Sequence, residues 1–143
     1  MNNSMKLEFL SISENERFAR SAVAAFVTQL NPTLDEIEDI KAAVSEAVTN
    51  AIVHAYRHIT GTIYITCDLM ENTATITIRD MGCGIENIDL ARTPLYTSSS
   101  DTERSGLGFT VMETFMDEID IKSTIDVGTT VTLVKKIGEV QCG

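Results

Sequence analysis

Glu46, Asn50 and His54 recur at intervals of four residues, so on a helix they form one nearly axial row. A carboxylate one turn before a carboxamide is a usable chemical pair. The first accepts a proton, and the second offers a hard oxygen to Mg²⁺. The row also reads as the polar face of an amphipathic helix, since it lies roughly opposite Val44, Val48 and Ile52. Ala43, Ala47 and Ala51 border it, small residues that suit a face approached by another group.

Two glycine motifs follow. In Asp80-Met-Gly82-Cys-Gly84 a strand-end carboxylate precedes glycines that let backbone approach a flat ligand; an adenine amino group suits that acceptor. A plain Asp-x-Gly turn explains the same residues. Arg104-Ser-Gly106-Leu-Gly108 opens a helical pattern. Free amides at a helix start attract phosphate oxygens, and Arg104 can add a charge-assisted contact. An ordinary glycine-containing helix start is the alternative. Gly128-Thr-Thr130 falls in a hairpin, where a turn glycine is the default. Neither a G-x-x-x-x-G-K-[ST] loop nor an H-R-D/D-F-G set occurs, which excludes P-loop and eukaryotic-type kinase mechanisms.

The elements that must carry these motifs read as strand, helix, helix, hairpin, loop, helix, hairpin. Lys6 to Leu10 alternates as a short strand. Ser13 with Glu16 predicts a capping box, and Phe18, Ala22, Ala25, Phe26 and Leu30 a stripe running to Asn31-Pro32. Thr33 with Glu36 predicts a second box. The helix after it should bury Ile37, Ile40, Val44, Val48, Ile52 and Ala55, ending near Gly61. Two alternating runs, through Ile63–Leu69 and Ala74–Ile78, turn at Glu71-Asn72. Residues 81–105 lack periodicity. Gly106 to Asp117 has helical spacing through Leu107, Val111 and Phe115, and a last hairpin turns around Asp126-Val-Gly128. This order predicts an α+β two-layer sandwich: a mostly antiparallel mixed sheet with helices on one face. A single domain over residues 1–143 is expected, with a frayed tail from about residue 138.

Composition narrows the partners. Eleven Lys+Arg against 21 Asp+Glu leave a charge of −10, which argues against tracking a phosphate backbone. Three cysteines without a C-x-x-C pair argue against a disulfide framework or zinc site and for a reducing cytoplasm. The chain shows no signal-peptide pattern and no stretch near ~18 apolar residues, so neither nucleic acid nor membrane is an expected partner.

The motifs taken in order carry more than any one of them. Glu46-x-x-x-Asn50, Asp80-x-Gly82-x-Gly84, Gly106-x-Gly108 and Gly128-Thr-Thr130 together resemble the four-box signature of the GHKL ATPase/kinase superfamily, from about Lys6 to Lys136. Glu46-Ala-Val-Thr-Asn50-Ala-Ile-Val-His54-Ala-Tyr56 and Glu103-Arg104-Ser-Gly106-Leu-Gly108-Phe109 resemble the anti-sigma-factor serine kinases of spore-forming bacteria. His54 and His58 follow the first box instead of occupying a separate hairpin, which argues against a self-phosphorylating histidine kinase.

The resemblance implies a protein that holds a sporulation sigma factor inactive and phosphorylates a serine of a small anti-anti-sigma protein with ATP. It implies Asn50 on Mg²⁺, Asp80 on the adenine amino group with Thr130 nearby, and Gly82 and Gly84 permitting close backbone approach. Gly106 and Gly108 would cradle phosphates, Arg104 would meet the terminal phosphate, and Glu46 would serve as general base or orienter. Thr97 to Arg104 would be a lid. Arg20 is a candidate partner contact, though a solvated helix face explains it equally, and the family's habit implies a homodimer through the first strand's edge. Two rivals share the pocket: an ATP-gated anti-sigma binding module with little turnover, and the general-stress anti-sigma kinase. An ATPase clamp of the topoisomerase or mismatch-repair kind is disfavoured by the missing transducer domain.

Overall fold

The computed structural model describes residues 2–86, 88 and 108–138. Its strands are β1 (Asn2–Leu10), β2 (Thr62–Met70), β3 (Thr73–Asp80), β4 (Glu118–Thr124) and β5 (Gly128–Lys136). They form one sheet in the order β1-β2-β3-β5-β4, and all four pairings are antiparallel. Helices α1 (Glu14–Val27), α2 (Leu34–Asn50) and α3 (Phe109–Phe115) pack with the sheet around one core. The expected α+β sandwich is therefore present.

Alternation sets which face each strand buries. Leu7, Ile65, Ile78, Val131 and Ile121 are partners across all five strands, and Met5, Cys67, Ile76, Leu133 and Ile119 form the next such row. The inner members of both rows and Ile121 belong to the core, and Leu7, Met5 and Ile119 pack against it, partly buried. A fully buried aliphatic side chain is worth roughly 1.5–3 kcal/mol, so a slip of one residue in any strand would forfeit several such contributions. Burial also pushes the Cys67 thiol up to about 12, as expected of a packing sulfur.

The helices differ from the expected pattern in phase. In α1 the buried residues are Ala19, Val23, Ala24 and Val27. Phe18 is half exposed and packs edge-on to Phe9, with ring centroids 6.3 Å apart. Ser13 does not cap α1: its backbone is helical and its side chain makes no capping bond, the Glu16 N–H donating to the Ser13 carbonyl while the Glu16 carboxylate pairs with Arg20. Thr33 does cap α2, its hydroxyl accepting from the Glu36 N–H while the Glu36 carboxylate accepts from the Thr33 N–H. In α3 the buried residues are Phe109 and Met112. Strand β1 extends four residues earlier than expected, back to Asn2.

The expected single helix to Gly61 is instead α2 followed by a π-helical turn, Ala51–Ala55. The wider turn carries His54 off the axis of the Glu46–Asn50 pair. No helix among the described residues is long and apolar enough to cross a membrane. The expected lid, Thr97 to Arg104, and the tail beyond Gly138 lie outside the described residues.

Candidate active site

The C-terminal half of α2 supplies the first two groups. Ala43, Val44, Ala47, Val48 and Ala51 are buried, so the bordering alanines belong to the core. Glu46 and Asn50 lie at the margin of that buried arc, Glu46 half-buried and Asn50 only 9% exposed. One helical turn, about 6 Å along the axis, separates them. Burial pushes the Glu46 carboxyl above the ordinary glutamate range, and the negative charge of Glu16 on α1 adds to it.

Gly108 caps the N-terminus of α3 with a left-handed backbone, φ 67°. A Cβ there would lie 2.2 Å from Oε2 of Glu46. A larger residue there would push the Glu46 carboxylate out of this position, and the positive φ independently favours glycine. Arg104 and Gly106, the other expected members of this motif, lie outside the described residues.

Asp80 ends β3 and continues the inward parity of Ala74, Ile76 and Ile78. Its Oδ1 accepts the Gly82 N–H at 2.9 Å and the Thr129 N–H at 3.2 Å. Both bonds fall on one oxygen, so among the described residues Oδ2 is the oxygen left to accept from a ligand. Burial pushes the Asp80 carboxyl up, and the Gly82 and Thr129 amides pull it back. Gly82 then meets the π turn, where a Cβ would lie 2.4 Å from the Ala55 carbonyl oxygen. That carbonyl accepts the Cys83 N–H at 3.0 Å. Gly84, at φ +80°, abuts the Thr124 carbonyl, and Ser123 Oγ accepts the Ile85 N–H at 2.7 Å. Cys83 is half-buried, its Sγ 3.4 Å from the His54 carbonyl oxygen.

Thr130 is a correction. Asp80 pairs with Thr129, whereas Thr130 pairs with Arg79. Neighbouring residues of a strand face opposite sides, so buried Thr129 stands beside the carboxylate and Thr130 faces away. The signal was present in the sequence: Val131 and Leu133 point inward, and Thr129 shares their parity. Gly128 also does more than turn the chain, since a Cβ there would lie 2.1 Å from the Asp80 carbonyl oxygen.

The groups therefore align along one rail. Gly108 meets Glu46 on α2, and Gly82 meets Ala55 nine residues later, at the end of the π turn. Asn50 lies between. Among the described residues no cluster of three or more His, Cys, Asp or Glu side chains could hold a metal. Arg20 pairs at 3.3 Å with Glu16, the same carboxylate whose charge acts on Glu46, and lines a depression between α1 and α2 with Arg17, Ser21, Glu38, Lys41 and Ala42.

Comparison with known proteins agrees with this geometry. The histidine kinase-like ATPase domain family matches residues 11–135. An anti-sigma F factor of Clostridium novyi is 55% identical over 97% of this chain and 98% of its own. The crystal structure of the RsbU and RsbW domains of a Mycobacterium tuberculosis protein superposes with a TM-score of 0.65 at 18% identity, over 94% of this chain and 32% of that one. The catalytic domain of the histidine kinase ThkA gives 0.58 at 18%, over 93% and 96%; these two likenesses show the fold alone. The chain thus belongs to the histidine kinase-like ATPase domain family and, within it, to the anti-sigma F factors.

Proposed function

We propose that the chain is a cytoplasmic anti-sigma factor that binds a sporulation sigma factor and phosphorylates a serine of a small anti-anti-sigma protein with Mg-ATP. The observation that carries this reading is the Glu46 carboxylate, held half-buried against the head of α3, one turn before Asn50. Transfer of a phosphoryl group needs positioning and charge compensation more than covalent chemistry. Glu46 accepts or orients the proton of the incoming serine hydroxyl, and its raised pKa suits that role.

Asn50 is the residue that would hold Mg²⁺, an ion that keeps several waters and needs few protein oxygens. The ion supplies charge neutralisation at the phosphates. Asp80 accepts from the adenine amino group, and Gly82 and Gly84 bring backbone close to the ring. Gly108, with Gly106 and Arg104, serves the phosphate end. Arg20, beside Arg17 and Lys41, is the proposed partner contact. Because β1 lies at an edge of the sheet, a homodimer through that edge is also proposed.

The test is mass spectrometry of the small partner after incubation with this protein and Mg-ATP. A single phosphoserine is expected. An unmodified partner whose affinity still follows the nucleotide would replace the kinase with an ATP-gated binding module.

A further inference from the structure

We propose that Tyr56 is a positioning residue that fixes Asp80 against the base and thereby sets selectivity for a purine carrying a 6-amino group; this rests on the adenine reading of Asp80. Tyr56 follows the π turn and is 5% exposed. Its hydroxyl donates to the Thr62 carbonyl at 2.6 Å and accepts the Met81 N–H at 2.7 Å. Thr62 opens β2 and Met81 follows the last residue of β3. One phenol thus joins the end of the α2 segment to two strands.

The Met81 N–H and the Asp80 carbonyl belong to the same peptide group. Tyr56 holds its donor side, and Gly128 packs against its carbonyl side. The carboxylate above it is held separately, by the Gly82 and Thr129 amides. Backbone and side chain of Asp80 are therefore fixed by different neighbours. The Tyr56 ring is itself confined. A Cβ on Gly61 would lie 2.2 Å from its Cε1, and Gly61 exchanges hydrogen bonds of 2.9 Å with Ser11, through Ser11 Oγ and the Ser11 N–H. Burial pushes the phenol pKa up, which keeps the hydroxyl a neutral donor.

A single hydrogen bond discriminates between bases only when its acceptor is held in place. Removing the Tyr56 hydroxyl strands the Met81 N–H and the Thr62 carbonyl and frees the peptide that carries Asp80. Tyr56 touches neither base nor phosphate in this scheme. Its effect should follow the 6-amino group and nothing else.

The experiment measures, by calorimetry, the affinities of ATP and of inosine triphosphate, which carries oxygen in place of the 6-amino group. The native chain should prefer ATP. Tyr56→Phe should lose about three- to tenfold in ATP affinity while inosine triphosphate binding stays close to native. An unchanged ratio, or equal losses for both nucleotides, would overturn the proposal. Equal binding of both nucleotides by the native chain would instead overturn the adenine reading of Asp80, whatever Tyr56→Phe does. Amide hydrogen exchange in the nucleotide-free native chain gives a measurement that no variant can spoil by misfolding. The Met81 amide should be protected, and exchange at the free-peptide rate would refute the clamp.

Discussion

Gly108 stands so close to Glu46 that a single added carbon would lie 2.2 Å from the carboxylate oxygen. Helix α3 and the proposed base are thus positioned by contact, without a bond between them. Gly108→Ala should displace the carboxylate and strain a backbone at φ 67°, a conformation that costs an L-residue roughly 1–2 kcal/mol. Serine phosphorylation should fall on the order of tenfold or more, with a measurable drop in the denaturation midpoint. A native rate in a folded variant would separate Gly108 from the site.

Glu46 and Asn50 should fail differently. Glu46→Gln keeps the shape and removes the proton acceptor, so nucleotide affinity should hold while transfer falls ~10²–10⁴-fold. Asn50→Ala removes the metal-ligand oxygen and should weaken Mg-ATP binding itself. Calorimetry with and without Mg²⁺ distinguishes them: the Asn50 variant should lose the metal-dependent part of its affinity.

The pH dependence has a defined sign. Burial first, and the Glu16 charge second, raise the Glu46 pKa, so the base form accumulates only above the usual glutamate range. The acid limb of kcat/KM should lie correspondingly high. Glu16→Gln removes a like charge and should move that limb to lower pH. For stability the raised acid runs the opposite way: its contribution is greatest at low pH and is lost as pH rises through the folded value. An acid limb unmoved by Glu16→Gln would disconnect the two carboxylates.

The two helix starts on the sheet-covering layer make an internal control. Thr33→Ala should cost about 1 kcal/mol in chemical denaturation, because its hydroxyl and Glu36 satisfy each other's amides. Ser13→Ala should cost much less, since Ser13 makes no capping bond. Equal losses would mean that the two caps act alike in solution. Glu36 adds a pH signature. Although burial opposes it, hydrogen bonds from Thr33 and Gly138 hold its carboxyl below the ordinary range. Its stabilisation should be present above the free-glutamate pKa and lost as pH falls through the depressed value.

Strand alternation made the sheet legible from residues alone, and motif order singled out Glu46, Asn50 and Asp80, which the fold places at the end of α2 and the end of β3. Alternation has a period of two, so even short strands declare their buried side. Helical phase was harder to read. In α1, Phe18 and Phe26 draw the apolar stripe toward themselves, yet the small Ala19 and Val23 are the buried residues and Phe18 is half exposed. The π turn was invisible, since an added backbone hydrogen-bond register leaves no mark on side-chain type. Tyr56 carries no signal of its own in the sequence, because its value lies in two backbone partners, at the start of β2 and just past β3. Motif position points to Thr130, whereas parity with Val131 and Leu133 places Thr129 on the side of Asp80.

The order of strands has a consequence for synthesis. Asp80 sits on β3, yet one of the amides steadying its carboxylate belongs to β5, which enters the sheet between β3 and β4. A ribosome-bound chain exposing only its first hundred residues can pair β1 to β3 but lacks this wall of the pocket. Nucleotide recognition should therefore switch on abruptly, late in translation, and serve as a readout of completed folding.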